Sequence, residues 1–568
     1  MDGYKTRYDQ WQRLLPDGGY KDELLSIKND EKQKEDRFYK ELEFGTAGLR
    51  GVLGVGTNRM NEYVVRRATM GLAAYINSLG EAEKGVVIAY DSRRLSKEFA
   101  LESAKVLEKC GIKVYLFDSL RSVPQLSFSL RHLGCIAGIM ITASHNPPEY
   151  NGYKVYWKDG GQIGPIQADA ITEYIRRFGY FDGTELEYDE SLIQTVGEET
   201  DRAYFDAVRT LLLNPELDRE QGGMLSVVYT PLHGAGYVPV TTLLGEMGVT
   251  DVSVVEEQRL PDSAFPTVKV PNPEDRAAFE LAFRLAKEKN AELVLATDPD
   301  SDRLGAAVRE TSGEYRLLTG NQIGCLLLYY ILSVKKERGQ LTGREVAAKS
   351  IVSTGLANAI CDDFGVKLAE VPTGFRFIAE HIENHCSDGQ TEFLFGFEES
   401  YGFLVGSFAR DKDAPGAAMM LCEACIYYKQ GGKTLCDVLD EIYARYGFYV
   451  ETVKSYTLEG KKGMEQIASV MQKLRMGGVR RLAGKEIVRF EDFSTRRSHD
   501  YAQNTVLPCT MPSMNMVRFT TADGAWICVR PSGTEPKLKV YIGTSAKTEA
   551  ESANDGKMLL EAVEAEIF

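Results

Sequence analysis

Residues Cys135 to Ile141 form a short apolar run that stops abruptly at Thr142-Ala143-Ser144-His145-Asn146-Pro147-Pro148. Such a run reads as a buried strand, and small polar residues followed by a Pro-Pro pair close it with a turn. A polar turn at the end of a buried strand sits in the crevice beyond the strand ends, where an open α/β sheet exposes its chemistry. Ser144 is thereby a nucleophile candidate, and His145, Asn146 and Lys154 are close in sequence. A serine hydroxyl needs a base, a metal or a preorganised electrostatic site to react. On local composition alone, the same stretch also fits a plain turn rich in turn formers.

The flanking segments supply the rest of such a sheet. Gly85 to Tyr90 has a strand pattern ending in Asp91-Ser92-Arg93-Arg94, and a helix follows from about Lys97 to Cys110, stopped by Gly111. Ile112 to Phe117 is the next strand, so strand, helix and strand alternate as in a parallel sheet with crossover connections. A second α/β unit begins at Met224, with strands Ser226 to Thr230 and Val252 to Val255; His233, in the loop after the first, reads as structural. A third contains Val346 to Val352, Val366 to Val371 and Glu392 to Phe397. The last unit carries an amphipathic helix marked by Met464, Ile467, Met471 and Leu474, then strands at Trp526 to Val529 and Leu538 to Gly543. A chain of 568 residues is too long for one core. The divisions fall at 1–205, 206–319, 320–447 and 448–568.

The second chemical signal is Asp298-Pro299-Asp300-Ser301-Asp302-Arg303, just past the apolar run ending at Thr297. Residues two apart on an extended chain point the same way, so three carboxylates share one side and make a hard-cation site. A calcium loop would need Gly and Glu where this chain has Arg303 and Arg309. A few carboxylates completed by phosphate oxygens is the usual way to hold Mg2+. Near the C-terminus, Arg530-Pro531-Ser532-Gly533-Thr534 offers a guanidinium fork, hydroxyls and accessible N–H groups, an anion nest by composition, with a hairpin turn as the alternative. Glu398-Glu399-Ser400 supplies acceptors suited to sugar hydroxyls, and a plain turn fits equally well. In Phe44-Gly45-Thr46-Ala47-Gly48-Leu49-Arg50-Gly51, the glycines permit close backbone approach and Arg50 presents a planar donor fork.

Net charge is −15 with a pI near 5.2, which argues against nucleic acid or an anionic membrane as the main partner. No apolar segment follows the N-terminus, no run reaches transmembrane length, and the ten cysteines lack a disulfide-framework spacing. A reducing cytoplasmic location is expected. Cys422 and Cys425 read as buried small residues of a helix, and His381 and His385 as a surface helix.

Taken in order, F-G-T-A-G-L-R-G, T-A-S-H-N-P, T-P-L-H-G-A-G, D-P-D-S-D-R and R-P-S-G-T-E-P resemble the motifs of the α-D-phosphohexomutase family, in its long type. The resemblance spans Phe44 to Lys537 and implies a fold: α/β, three similar α/β domains with mixed, mainly parallel sheets plus a C-terminal α+β domain around a central active-site cleft. It implies that Ser144 carries a phosphoryl group and that Asp298, Asp300 and Asp302 bind Mg2+ with Ser144 as a further ligand. Arg303 would be a phosphate contact, and Arg50 would face the active site. Glu398 and Ser400 match the family's sugar-contact motif G-E-x-S, except that Phe397 is inserted after Gly396. Thr373, Gly374 and Arg376 join the substrate-binding set, and Arg530, Ser532, Gly533 and Thr534 would clamp the phosphate that is not reacting.

Some branches of the family have a histidine two residues after the motif serine; here that position is Gly402. Lys154 is the first choice for general acid/base, with Lys412 and His145 as further catalytic candidates. Lys412 lies in Arg410-Asp411-Lys412-Asp413, where Ala414 replaces the glycine of the family's K-D-G. The activity implied is interconversion of glucose 1-phosphate and glucose 6-phosphate by phosphoserine relay, with glucose 1,6-bisphosphate as activator, in a monomer or homodimer. Pentose and mannose phosphates are the alternatives within the family. Outside it stand a metal-dependent sugar-phosphate phosphatase and a non-catalytic sugar-phosphate binding protein.

Overall fold

The computed structural model describes residues 3–183, 190–458, 460–476, 478–532 and 537–567. The first sheet contains β1 (Leu49–Val52), β2 (Val86–Tyr90), β3 (Val114–Phe117), β4 (Ala137–Ile141), β5 (Tyr150–Trp157) and β6 (Ile193–Val196), in the order β1-β5-β4-β2-β3-β6. β2 runs parallel to β3 and β4, and β3 parallel to β6, whereas β5 returns antiparallel to β4 and β1 antiparallel to β5. β2 and β4 are buried at every position, which is why their sequences are continuously apolar rather than alternating. Helices Glu62–Ser78, Ser96–Lys109 and Pro165–Ile175 supply Leu72, Leu107 and Ile171 to one core, while helix Val123–His132 supplies Leu126 and Leu130 to a second. The last of these helices starts with a reciprocal cap between Ser122 and Gln125.

The charged N-terminal segment is helical, as Gly19–Ser26 and Glu31–Phe38, and follows a helix at Gly3–Leu14. Trp11, Phe38 and Tyr63 form its aromatic core.

The second sheet repeats the plan with β7 (Ser226–Thr230), β8 (Asp251–Val254), β9 (Leu293–Thr297), β10 (Leu304–Arg309) and β11 (Tyr315–Leu317), ordered β11-β10-β9-β7-β8. β7 is parallel to β8 and β9, and β10 turns back antiparallel to β9. In both sheets a buried parallel strand therefore leads through a polar turn into an antiparallel one. Those two turns carry Ser144 and the three aspartates.

Further along come β12 (Glu345–Ser350) and β13 (Lys367–Val371), paired in parallel, then β14 (Glu392–Glu398) and β15 (Gly402–Val405). The C-terminal sheet is antiparallel, built from β16 (Phe448–Thr457), β17 (Arg481–Leu482), β18 (Lys485–Asp492), β19 (Arg497–Asp500), β20 (Thr505–Pro508), β21 (Val517–Thr521), β22 (Trp526–Pro531) and β23 (Lys537–Ala546). β12 begins and ends two residues or less from the run expected, because Ser350 to Ser353 bend into a turn before helix Leu356–Phe364. Helices Gly460–Met476 and Glu549–Ile567 flank the C-terminal sheet, with Ile467, Met471, Leu474, Leu559 and Val563 in its core.

The chain divides into two compact units, one of residues 1–323, 378–396 and 400–434, the other of 324–377, 397–399 and 435–568. Among the described residues, no helix is long and apolar enough to cross a membrane. Cys422 and Cys425 are buried on helix Ala414–Lys429, as expected; His381 is half-buried and His385 exposed on helix Arg376–Cys386.

Inside the first unit, Asp218 on helix Pro215–Gln221 and Glu423 on helix Ala414–Lys429 are both fully buried. Burial, followed by repulsion from Glu423, pushes the Asp218 carboxyl up to about 8. A carboxyl raised above its unfolded value stabilises the fold while protonated, and that contribution fades as pH rises from the unfolded value, near 4, through the folded one. The stability of the wild type should therefore fall between about pH 5 and 8 at up to roughly 1.4 kcal/mol per pH unit from this pair. Glu423→Gln removes one of the two charges, so its melting temperature should decline less over that window. Parallel curves for the two proteins would contradict this account.

Candidate functional site

Ser144 is placed by the ladder that ends just before it. β4 stops at Ile141, Thr142 hydrogen-bonds back to Gly152, and the chain enters the left-handed region at Ser144, φ 52°. The Thr142 hydroxyl accepts from Ser144 N at 2.8 Å and lies 2.6 Å from Asp91 Oδ2 and 3.1 Å from Asp300 Oδ2. Ser144 Oγ donates to Asp298 Oδ2 at 2.8 Å and stands 3.2 Å from His145 Nδ1. The hydroxyl is thus held between a carboxylate and an imidazole.

The loop is fastened from beneath by Arg93, whose buried guanidinium donates to the carbonyls of Ser144, Asn146, Pro147 and Tyr150. Asp91 Oδ2 lies 3.4 Å from Arg93 Nε, and the Phe265 ring lies 5.1 Å from the guanidinium. Arg50, on β1, donates to Asn146 Oδ1 at 3.0 Å. It reaches the loop because β1 pairs with β5, Arg50 facing Gly152, two residues from Lys154. The turn before Arg50 needs Gly48, where φ is +71° and a Cβ would come within 1.9 Å of Tyr153 O.

After β9 the chain coils so that Asp298 Oδ1 accepts from the backbone N–H groups of Asp302 and Arg303, both at 3.0 Å, with Ser301 in the left-handed region at φ 51°. Asp298, Asp300 and Asp302 are buried, and one carboxylate oxygen from each lies within 4.8 Å of the others. The turn is tighter than an extended chain, yet it converges the same three carboxylates. Lys154 donates to Asp300 Oδ2 at 2.9 Å and lies 3.7 Å from Asp302 Oδ2, while Lys412 lies 3.1 Å from Asp302 Oδ2 and 2.9 Å from Asp411 Oδ1. Arg303 pairs with Glu274.

The charges follow this geometry. Burial, then Asp300 and Asp302, push the Asp298 carboxyl well above the ordinary range. Burial opposes ionisation of Asp302, but Lys412, Lys154 and Arg303 outweigh it and hold that carboxyl below the ordinary range. His145 is held well below its ordinary value by burial and by Arg303 and Arg50, so its imidazole is neutral at pH 7. Asp300 Oδ1 and Asp302 Oδ1 are buried with no hydrogen-bond partner among the described residues. Buried carboxylate oxygens in that condition, in a cluster where one oxygen of each aspartate lies within 4.8 Å of the others, fit a divalent cation that prefers oxygen ligands.

Gly402 explains how Lys412 enters the cluster. It forms a bridge to Arg303, and a Cβ there would stand 2.2 Å from Lys412 Cδ. A larger side chain at this position would displace the lysine.

The remaining predicted residues lie mostly in the second unit. Glu398 Oε1 accepts from Gly374 N at 2.6 Å, and Gly374 has φ +113°. The Arg530 guanidinium donates to Thr373 Oγ1, and Ser532 N donates to Lys537 O at 2.7 Å. Arg376 starts helix Arg376–Cys386 with its guanidinium 4.0 Å from the Phe377 ring centroid. Glu399 accepts from Ser350 Oγ at 2.8 Å. Ser400 is half-buried in the turn between β14 and β15. Gly533 and Thr534 lie outside the described residues.

Asp91, Arg93, Thr142, Asp411 and Glu274 escaped the sequence reading as members of the first cluster. For Asp91 and Arg93 a signal existed: they follow β2, the parallel neighbour of β4, and so emerge at the same edge as Ser144. Asp411 is the sequence neighbour of Lys412, and that adjacency was the signal for it, whereas Glu274 is far from the other motifs in sequence and only folding brings it to Arg303. His233 Nε2 lies 2.9 Å from Thr267 Oγ1.

Comparison with known proteins matches four domain families along the chain. They are phosphoglucomutase/phosphomannomutase alpha/beta/alpha domain I at residues 41–179, domain II at 202–313, domain III at 319–446 and the C-terminal domain at 459–555. A phosphoglucomutase of Staphylococcus haemolyticus is 38% identical over 538 residues, covering 94% of this chain and 95% of that protein. One of Staphylococcus aureus is 38% identical over 514 residues, covering 90% and 91%. Among solved structures, a phosphoglucomutase/phosphomannomutase family protein from Burkholderia thailandensis superposes with a TM-score of 0.67 at 18% identity, covering 92% of this chain and 97% of that one. The pp63/parafusin phosphoglucomutase of Paramecium superposes at 0.69 with 17% identity, covering 92% and 96%. The chain belongs to the phosphoglucomutase/phosphomannomutase family.

Proposed function

We propose that the chain interconverts glucose 1-phosphate and glucose 6-phosphate through a phosphorylated Ser144. The observation that carries this reading is the hydrogen bond from Ser144 Oγ to Asp298 at the edge of three converging carboxylates, with two buried lysines against the same cluster. Glucose is preferred over mannose or pentose because the phosphoglucomutases above are 38% identical over nine-tenths or more of their length.

In the forward half, the P–Oγ bond of phospho-Ser144 breaks and a bond forms from phosphorus to O6 of glucose 1-phosphate. The hydroxyl proton leaves to a base, and the departing Oγ becomes the serine hydroxyl once protonated. In the return half, the Ser144 hydroxyl gives up its proton and attacks the other phosphoryl group of glucose 1,6-bisphosphate, which also serves as activator. The P–O1 bond breaks, O1 takes up a proton from the general acid, and glucose 6-phosphate is released. Lys154 is the proton carrier for the sugar hydroxyl in this reading, and neutral His145 faces Oγ as an acceptor for the serine proton. Lys412, Arg303 and Arg50 add positive charge where the transferring phosphoryl group would sit, and such transfers depend on positioning and charge stabilisation.

Asp298, Asp300 and Asp302, with Ser144, would hold Mg2+, which when bound supplies Lewis-acid polarisation of phosphoryl oxygens. Thr373, Gly374, Arg376, Glu398 and Ser400 would contact the sugar, and Arg530, Ser532, Gly533 and Thr534 the distal phosphate. A phosphatase would have no use for both the sugar and the distal-phosphate contacts, and a non-catalytic binding protein none for Ser144 and the three aspartates. Domain divisions near residues 205, 319 and 447 and a cytoplasmic location belong to the same proposal, the latter supported by bacterial relatives and the absence, among the described residues, of a membrane-crossing helix.

In a coupled assay with Mg2+ and a trace of glucose 1,6-bisphosphate, Ser144→Ala should lower kcat by about a thousandfold or more, since the covalent route is removed. Wild type that converts ribose 1-phosphate but not glucose 1-phosphate would shift the reading to the pentose branch. Release of free phosphate without isomerisation would overturn it. In a thermal-shift titration, Mg2+ at 100 times its Kd should stabilise wild type by about 2.7 kcal/mol. The gain should grow as pH rises, because the raised Asp298 carboxyl must lose its proton for the cation to bind. Asp302→Asn should lose most of the gain, and an undiminished shift in that variant would place the cation elsewhere.

A further inference from the structure

Within the second unit, the strand that leads to Thr373 and the sheet that carries Arg530 are joined by a row of alternating charges. Lys349 on β12 stands opposite Glu370 on β13 in the parallel register, with Nζ 2.9 Å from the Glu370 carboxylate. Glu370 lies 3.4 Å from Arg518 on β21, and Arg518 Nε donates to Glu491 on β18 at 2.6 Å. Arg518 is the register partner of both Glu491 and Cys528, so all three side chains share one face of the C-terminal sheet. Arg530 is two residues beyond Cys528 on β22 and therefore issues from that same face.

The row borders an apolar contact between the two halves of the unit. Ile351 and Val352 from the end of β12 pack with Phe493, Met516, Cys528 and Tyr541 of the C-terminal sheet. Apolar packing holds surfaces together but is non-directional. Charge-assisted hydrogen bonds fix distance and angle, and a guanidinium between two carboxylates does so in two directions at once. Burial opposes the charge on Glu370, yet Lys349 and Arg518 outweigh it and hold its carboxyl below the ordinary range.

We infer that Glu370 and Arg518 are positioning residues for substrate, locking the strand that delivers Thr373 and Gly374 to the sheet that delivers Arg530. Glu370 precedes Thr373 by three residues, so a shift at the ion row is passed along a short, hydrogen-bonded strand to the loop that receives Arg530 and caps Glu398. The inference rests on the reading of Thr373, Gly374 and Arg530 as substrate contacts. It adds that their spacing is set before the sugar phosphate arrives, by residues that belong to two different family domains.

The test is steady-state kinetics of the full chain on glucose 1-phosphate, with melting temperatures, for Arg518→Met, Arg518→Lys, Glu370→Gln and Arg530→Gln. Arg518→Met and Glu370→Gln should each raise KM by about tenfold with kcat at saturation within about threefold, because weakened ground-state positioning is restored by excess substrate. Arg518→Lys, which keeps the charge but lacks the two-directional fork, should recover only part of the loss. Glu370→Gln preserves shape and serves if Arg518→Met fails to fold. If KM stays within twofold in both variants while Arg530→Gln raises it, the positioning role is wrong and the site reading stands. A parallel loss of kcat and melting temperature in Arg518→Lys and Arg518→Met would reduce the row to a structural one. No effect of Arg530→Gln would remove the substrate reading and the inference with it.

Discussion

Three carboxylates forced together in a buried place are the constraint around which the first unit is arranged. Isolated, such a cluster could not stay fully ionised, and the structure shows how the load is divided. Two backbone N–H groups and the Ser144 hydroxyl meet Asp298, one ammonium meets Asp300, and two ammonium groups face Asp302. Oδ1 of Asp300 and Oδ1 of Asp302 have no hydrogen-bond partner among the described residues, although Arg303 Nε lies 3.9 Å from the latter, and such buried carboxylate oxygens fit a cation. Ser144 thus stands in the field of its neighbours, whose charges determine what its hydroxyl can do.

The fold provides this arrangement twice over by one device. A parallel strand buried on both faces needs an apolar sequence, so its first polar residue appears only where the sheet ends, and an antiparallel return strand keeps that turn short. β4 to β5 and β9 to β10 are both of this kind. Because β1 pairs with β5, the same return strand brings Lys154 and, through its partner, Arg50 to the serine loop. Arg93 then ties down the carbonyls of Ser144, Asn146, Pro147 and Tyr150 with one guanidinium, so the loop is fastened at four backbone points.

Much of this was legible in the sequence because burial on both faces leaves so clear a trace. Strands β2, β4, β7 and β9 and the chemistry at the ends of two of them could be read from apolar runs that stop at polar turns. What could not be read was pairing between distant segments. Nothing in Arg410-Asp411-Lys412-Asp413 says that its lysine ends beside Asp302, nor that the glycine at 402 is what lets it pass. Arg93 and Thr142 were missed for a different reason: their work is on backbone groups and on other side chains, and residue type alone does not distinguish that from an ordinary polar turn. His145 was named from adjacency to Ser144, whereas its neutral state depends on burial and on two arginines from other segments.

The central claim is that Ser144 holds and passes on a phosphoryl group, and single-turnover transfer tests it most directly. Enzyme is treated with glucose 1,6-bisphosphate carrying labelled phosphate and freed of ligand. The labelled site is located by peptide mass spectrometry, and a portion is then mixed with unlabelled glucose 1-phosphate in a rapid-quench experiment. The account predicts label on Ser144, lost to the sugar at a rate no slower than turnover. Label on another residue, or label on Ser144 that transfers to water rather than sugar, would contradict it.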